Sequence, residues 1–167
     1  MSEPPSLAAG AEGPALAELL ALISALAETP LRQDLAVLGS VGPSGAVGPV
    51  ADVNGRIEAF FGACAARGLS GAQGVIIPDA NRQQLMLGED VVDAVREGRF
   101  RVYAVKTVDD ALGLLADREI GARDGSGRSG PETLRARVEA KLKTFSETMR
   151  GFAAGKDSPV ALQEKGA

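Results

Sequence analysis

Nucleophilic catalysis needs a hydroxyl or thiol beside a group that can take its proton near neutral pH. The chain has no histidine, and its first lysine is Lys106, so any earlier nucleophile has only carboxylates as potential bases. The candidates are Ser24, Ser40, Ser44 and Cys64. Ser24 falls inside an apolar-periodic run, where a serine bonds its own helix backbone. Cys64 falls on the apolar face of a second predicted helix, which predicts a core thiol with nothing to activate it. Ser44 lies at a turn. Ser40, at the turn after a predicted strand, is the remaining candidate hydroxyl. Glu12, Asp34, Asp52 and Glu58 are spaced for caps and solvated faces, and not for a carboxylate pair or a metal site. The stretch Gly39–Gly45 resembles a phosphate loop but lacks the lysine and the following helix that such a loop requires, which predicts a hairpin turn. No ATP-binding motif is present, so no cofactor is predicted.

The elements that would position these residues follow from the spacing of apolar positions. Met1–Gly13 is rich in Pro, Gly, Ala and Ser and reads as a disordered leader. Pro14 suits the first position of a helix in which Leu16, Leu19, Leu20, Ile23, Leu26 and Ala27 form one stripe, ended by Thr29-Pro30. Leu35–Val41 predicts a strand and Ala46–Val50 its return. Asp52 caps a second helix with Val53, Ile57, Phe60, Phe61 and Cys64 on one face, closed by Gly68. Gly74–Ile77 predicts a short buried strand, Arg82–Leu87 a helical turn, and Glu89–Glu97 a helix with Val91, Val92 and Val95 inward. Phe100–Val105 predicts a strand parallel to Gly74–Ile77. Thr107 and Asp110 form a capping-box pattern for the helix that follows.

These elements predict a mixed α/β fold in one domain over residues 14–116. Residues 117–130 predict a linker, 131–150 an amphipathic helix that docks on its own domain or on a partner, and 151–167 a frayed tail. Aromatics are 4% of the chain, with no Trp, so the core must rest on aliphatic side chains. A net charge of −4 without a basic cluster argues against nucleic acid and against an anionic membrane surface. No apolar run reaches the length of a membrane span, and no secretory signal is evident, which predicts a cytoplasmic protein.

Several segments together resemble the Lon family of ATP-dependent proteases, in its Lon-related branch. Pro30-Leu31-Arg32-Gln33-Asp34-Leu35-Ala36-Val37 is similar to the strand before that family's Thr-Gly-Ser/Glu turn, which here reads Leu38-Gly39-Ser40. Gly45-Ala46-Val47-Gly48-Pro49-Val50 resembles its Gly-x-Val-x-Pro hairpin. Asn54-Gly55-Arg56-Ile57-Glu58-Ala59-Phe60-Phe61 resembles its Asn-Glu-Lys-Ile-Glu-Gly-Phe-Phe segment. Gly74-Val75-Ile76-Ile77-Pro78, followed by Asn81 and Leu85, and the closing stretch Phe100–Val108 complete the match. The resemblance covers Glu12–Leu115 and implies a partial Lon proteolytic-domain fold with an added C-terminal helix.

The family works by a Ser–Lys dyad, in which a neutral lysine takes the hydroxyl proton. By the resemblance, the serine position falls on Gly13 and the lysine position on Arg56, which keeps the family's spacing while replacing both residues. Glycine cannot be a nucleophile, and arginine stays protonated and cannot act as a base. The family also has a β-rich portion before the serine that the residues ahead of Gly13 do not resemble. These departures predict a degenerate, non-catalytic domain acting as a binding or oligomerisation module, its partner itself or a full-length relative. The alternatives are a serine peptidase using another hydroxyl, Ser40 first, and a decayed gene fragment that does not fold alone.

Overall fold

The computed structural model describes residues 15–116, 118–121, 130 and 132–153. Helix α1 spans Ala15–Ala27 and is followed by strand β1, Leu35–Val37. A small hairpin of β2 (Ser40–Val41) and β3 (Val47–Gly48) leads to α2, Val53–Ala65. Then come β4 (Gly74–Pro78), a 3-10 turn over Asp79–Gln84, α3 (Glu89–Arg96), β5 (Arg101–Val105), α4 (Val108–Leu115) and α5 (Leu134–Ala153).

The main sheet has the order β1-β4-β5 and is parallel throughout, as the sequence predicts for β4 and β5. Parallel strands need crossovers; here the crossover helices α2 and α3 cover one face, and α1 and α4 cover the other. Side chains alternate across the sheet with period two. Leu35, Val37, Ile76, Tyr103 and Val105 point into a core shared with α1 and α4. Ala36, Leu38, Val75, Ile77 and Val102 point into a second core shared with α2 and α3. The strand β4 is buried along its whole length because it is central and covered on both faces. The result is a three-layer mixed α/β arrangement.

The strand predicted over Leu35–Val41 is two strands. At Gly39 the chain leaves the parallel sheet and enters the hairpin. A Cβ there would stand 2.8 Å from Val47 Cγ1 and 3.0 Å from Leu16 Cδ2, so any larger residue would have to push these side chains aside. The return strand is correspondingly shorter than Ala46–Val50. The turn predicted at Arg82–Leu87 lies earlier, starting directly after Pro78. Val92 and Val95 are each 39% exposed, whereas Val91 and Ala94 are buried. The inward direction of α3 lies between Val91 and Ala94, one i,i+3 pair, which leaves the other two valines at the rim. Cys64 is half-buried, not a core thiol.

Asp52 begins α2 in the left-handed region, φ 51°, and its carboxylate accepts from the Gly55 amide. Ser24 lies in α1, but its hydroxyl donates beyond the end of the helix, to the Thr29 carbonyl at 2.7 Å, rather than to the helix backbone. The capping box of α4 forms, with the Thr107 hydroxyl accepting from the Asp110 amide and Asp110 accepting from the Thr107 amide. Partial burial pushes the Asp110 carboxyl up, but the Lys106 amide and the Thr107 hydroxyl and amide outweigh it and hold it below the usual range. A lowered folded-state value stabilises the fold at pH above the unfolded value of ~3.9, and that contribution is lost as pH falls through the folded value. Asp110→Asn is therefore expected to cost up to about 1 kcal/mol at neutral pH, with the gap from the parent closing in acid. Denaturant melts at several pH values check this; a gap that persists below the titration would contradict it.

Of the predicted linker, residues 117 and 122–129 lie outside the described residues, as do the leader, residue 131 and residues 154–167; the predicted helix over 131–150 starts later, at Leu134, and runs through residues 151–153 of the predicted tail. Leu134 and Arg135 donate backbone bonds to Glu119 and Ile120, so the start of α5 is tied to the chain just after α4. α5 packs on α1, where Leu134 is buried and Lys141 pairs with Glu28 at 2.5 Å. Its later part does not dock on the domain: Leu142, Phe145 and Met149 are exposed. Among the described residues no helix is long and apolar enough to cross a membrane.

Candidate functional site

The candidate residues lie where α1 meets the hairpin and, further along the chain, at the start of α2. The Leu16 amide donates to the Gly39 carbonyl at 3.1 Å, which places the start of α1 beside the residue before Ser40. Gly13 is outside the described residues. Ser40 pairs with Gly48 across the hairpin, and its hydroxyl donates to the Pro49 carbonyl at 3.4 Å. No histidine, lysine or carboxylate is hydrogen-bonded to Ser40 among the described residues. Lys106, the first lysine of the chain, is exposed and stands 4.0 Å from the Asp79 carboxylate. A carbonyl cannot take a proton from a hydroxyl at neutral pH, so among the described residues Ser40 has a backbone partner and no hydrogen-bonded base.

Arg56 is exposed on the second turn of α2, and its side chain has no hydrogen-bond or ion-pair partner among the described residues. The segment that carries it is held firmly. Asn81, 1% exposed, lies in the 3-10 turn and clasps the backbone of Val50 from both sides. Its Oδ1 accepts from the Val50 amide at 3.0 Å and its Nδ2 donates to the Val50 carbonyl at 2.9 Å. A third bond runs from Nδ2 to Gln84 Oε1 at 2.8 Å. On α2, Asn54 donates to the Gln84 carbonyl and accepts from the Met86 amide. One helical turn later, Glu58 accepts from the Gly88 amide at 2.8 Å. Residues four apart share a helix face, so Asn54 and Glu58 fasten one side of α2 to Gln84–Gly88.

Sequence reasoning attached Asn81 to the resemblance but gave it no role. The signal was a lone Asn shortly after an apolar strand, and only the fold shows that its partner is Val50, 31 residues away. The other candidates do not converge on Ser40. Asp34 is paired with Arg32 at 2.6 Å, and this ion pair holds the Asp34 carboxyl below its usual range. Asp52 is a helix cap and Glu58 a backbone acceptor. Ser44 is exposed at the hairpin tip, and Glu12 is outside the described residues. Cys64 borders an apolar hollow of about 430 Å³ with Phe60 and Ala63, and a second hollow of about 400 Å³ runs between α1 and β1. Neither is lined by Ser40 or Arg56. Among the described residues no group of three or more His, Cys, Asp or Glu side chains is arranged to hold a metal ion.

Set against known sequences, residues 5–117 match the family model of the Lon protease (S16) C-terminal proteolytic domain. Two similar proteins are named as Lon protease homologs. That of Escherichia coli strain K12 is 44% identical over 132 residues, which is 79% of this chain and 22% of the relative. That of Haemophilus influenzae is 38% identical over 135 residues, 81% of this chain and 22% of the relative. The DNA repair protein RadA of Escherichia coli is 36% identical over 102 residues, 61% of this chain and 18% of that protein. The chain thus spans about a fifth of the length of the curated relatives it matches.

Proposed function

The chain belongs to the Lon protease C-terminal proteolytic-domain family, and we propose that it is a non-catalytic member, a binding or oligomerisation module that works in the cytoplasm without a cofactor. The observation that carries this reading is the state of the would-be dyad. By the resemblance, the family's lysine position falls on Arg56, an exposed residue, and the best remaining hydroxyl, that of Ser40, is bonded to a carbonyl. A lysine base must be desolvated to become neutral. An exposed arginine offers neither the burial nor the chemistry, since it remains protonated. Loss of either member of a catalytic unit removes most of the rate, and the serine position, Gly13, has no side chain. The same type of segment also occurs within a protein named for DNA repair, which supports a use of this domain other than proteolysis. Its partners are itself or a full-length relative, and neither nucleic acid nor membrane.

The test is hydrolysis of an unfolded protein by the purified chain, with and without a fluorophosphonate probe. No turnover and no covalent adduct are expected. Turnover abolished by Ser40→Ala, or an adduct mapped to any serine, would replace this reading with that of an active serine peptidase.

A further inference from the structure

Along α5, Val138, Leu142, Phe145, Met149 and Phe152 alternate spacings of four and three residues. This is a 3.5-residue spacing over two heptads, the spacing that a coiled-coil seam uses and narrower than the stripe of a helix lying on a globular body. Among the described residues the body holds its first half: Val138 packs against the core beside the buried Leu134, and Lys141 pairs with Glu28. Beyond it Leu142 is 50% exposed, Phe145 47%, Met149 68% and Phe152 58%. Single exposed apolar residues need no explanation, but four in one row do.

We propose that this row docks against the same row of a second copy, antiparallel, about a twofold axis level with Glu147. The inference rests on the module reading above and names its occupant. Three features favour a second copy. In an antiparallel coil a first-position residue of the repeat meets a fourth-position residue. Leu142 would then face Phe152 of the partner subunit, and Phe145 would face Met149 of the partner subunit, a thioether against a ring, which is a favourable contact. The positions that meet their own copies beside the axis are Ser146 and Thr148, so like charges are not brought together, while Lys143, Glu147 and Arg150 lie on the outer face. Finally, large side chains bury ~150–250 Å² each. At the exposed fractions above, the four would remove on the order of 450 Å² per copy. The pair then reaches about 900 Å² before flanking residues are added, near the ~1,000 Å² at which specific interfaces begin. A reversible dimer is the expected product.

Sedimentation equilibrium of the whole chain over a wide concentration range tests this. The mass should rise from one copy to two. Phe145→Glu with Met149→Glu should weaken association at least tenfold and leave helix content unchanged, because both side chains face solvent in a single copy. Leu142→Lys with Phe152→Glu, which antiparallel pairing sets opposite each other, should associate at least tenfold more tightly than Leu142→Lys with Phe152→Lys. A single copy at every concentration, or a dimer indifferent to the Phe145/Met149 change, would overturn the proposal; equal association of the two charge variants would overturn the antiparallel arrangement. Hydrolysis by the chain would sink the non-catalytic reading without altering these masses, so the two failures are distinguishable.

Discussion

Replacing Asn81 with alanine should lower the thermal unfolding midpoint by about 10 °C, the shift that a loss of roughly 3 kcal/mol produces in a domain of this size. Three bonds end at this side chain, which is 1% exposed. Removing it leaves the Val50 amide and carbonyl without partners in a buried site, and each orphaned group costs about 1–3 kcal/mol. The local effect should exceed the global one. Val50 is two residues from the Asp52 cap, so α2 would lose the anchor at its start, and amide exchange over Asp52–Arg56 should speed up more than in β4. Asn81→Asp is a sharper probe. It keeps an acceptor for the Val50 amide but sets a carboxylate against the Val50 carbonyl, so it should be at least as damaging at neutral pH and recover in acid. An Asn81→Ala protein that melts with the parent would show that the clasp on Val50 is dispensable.

Phe100→Ala should cost about 3–5 kcal/mol, the usual loss for deleting a buried aromatic ring. The ring is 0% exposed and is the largest side chain in the core beneath α2 and α3. It meets Phe61 edge-on at 5.2 Å between centroids and Phe60 at 6.3 Å. Three of the chain's five phenylalanines therefore hold one junction, between the start of β5 and the middle of α2. No Trp and few other aromatics can compensate. Phe100→Leu should lose much less, because it retains most of the buried volume. Urea melts of both variants decide it; equal and small losses would mean that the junction collapses around the cavity.

Much of the architecture was legible from local pattern. The Asp52 cap and the capping box at Thr107 rest on interactions within a few residues, and the stripe of α1 and the apolar run of β4 are patterns of local spacing. Such interactions depend on composition and spacing alone, so the sequence carries them. The order of segments that resembles the Lon family is a one-dimensional pattern too, and the family match extends over residues 5–117.

The site was legible in part. That arginine cannot act as a base, and that no histidine is present, are properties of residue types and needed no coordinates. Whether Ser40 has a base beside it was a question of three-dimensional neighbours, and among the described residues its partner is the Pro49 carbonyl. The break at Gly39 depended on Leu16 and Val47 closing over it, residues distant along the chain. Likewise Val92 and Val95 are apolar and helical, yet the direction in which α3 meets the sheet left them at the rim.

The sequence by itself determined the family and the element types, because these follow from residue identity and short-range spacing. Only the tertiary structure decided that Asn81 clasps Val50, that Ser40 faces a carbonyl, and that the apolar row of α5 runs past the body it starts on. Those outcomes depend on which segments the fold brings within hydrogen-bonding or packing distance, and distance through space is not written in any local window of the chain.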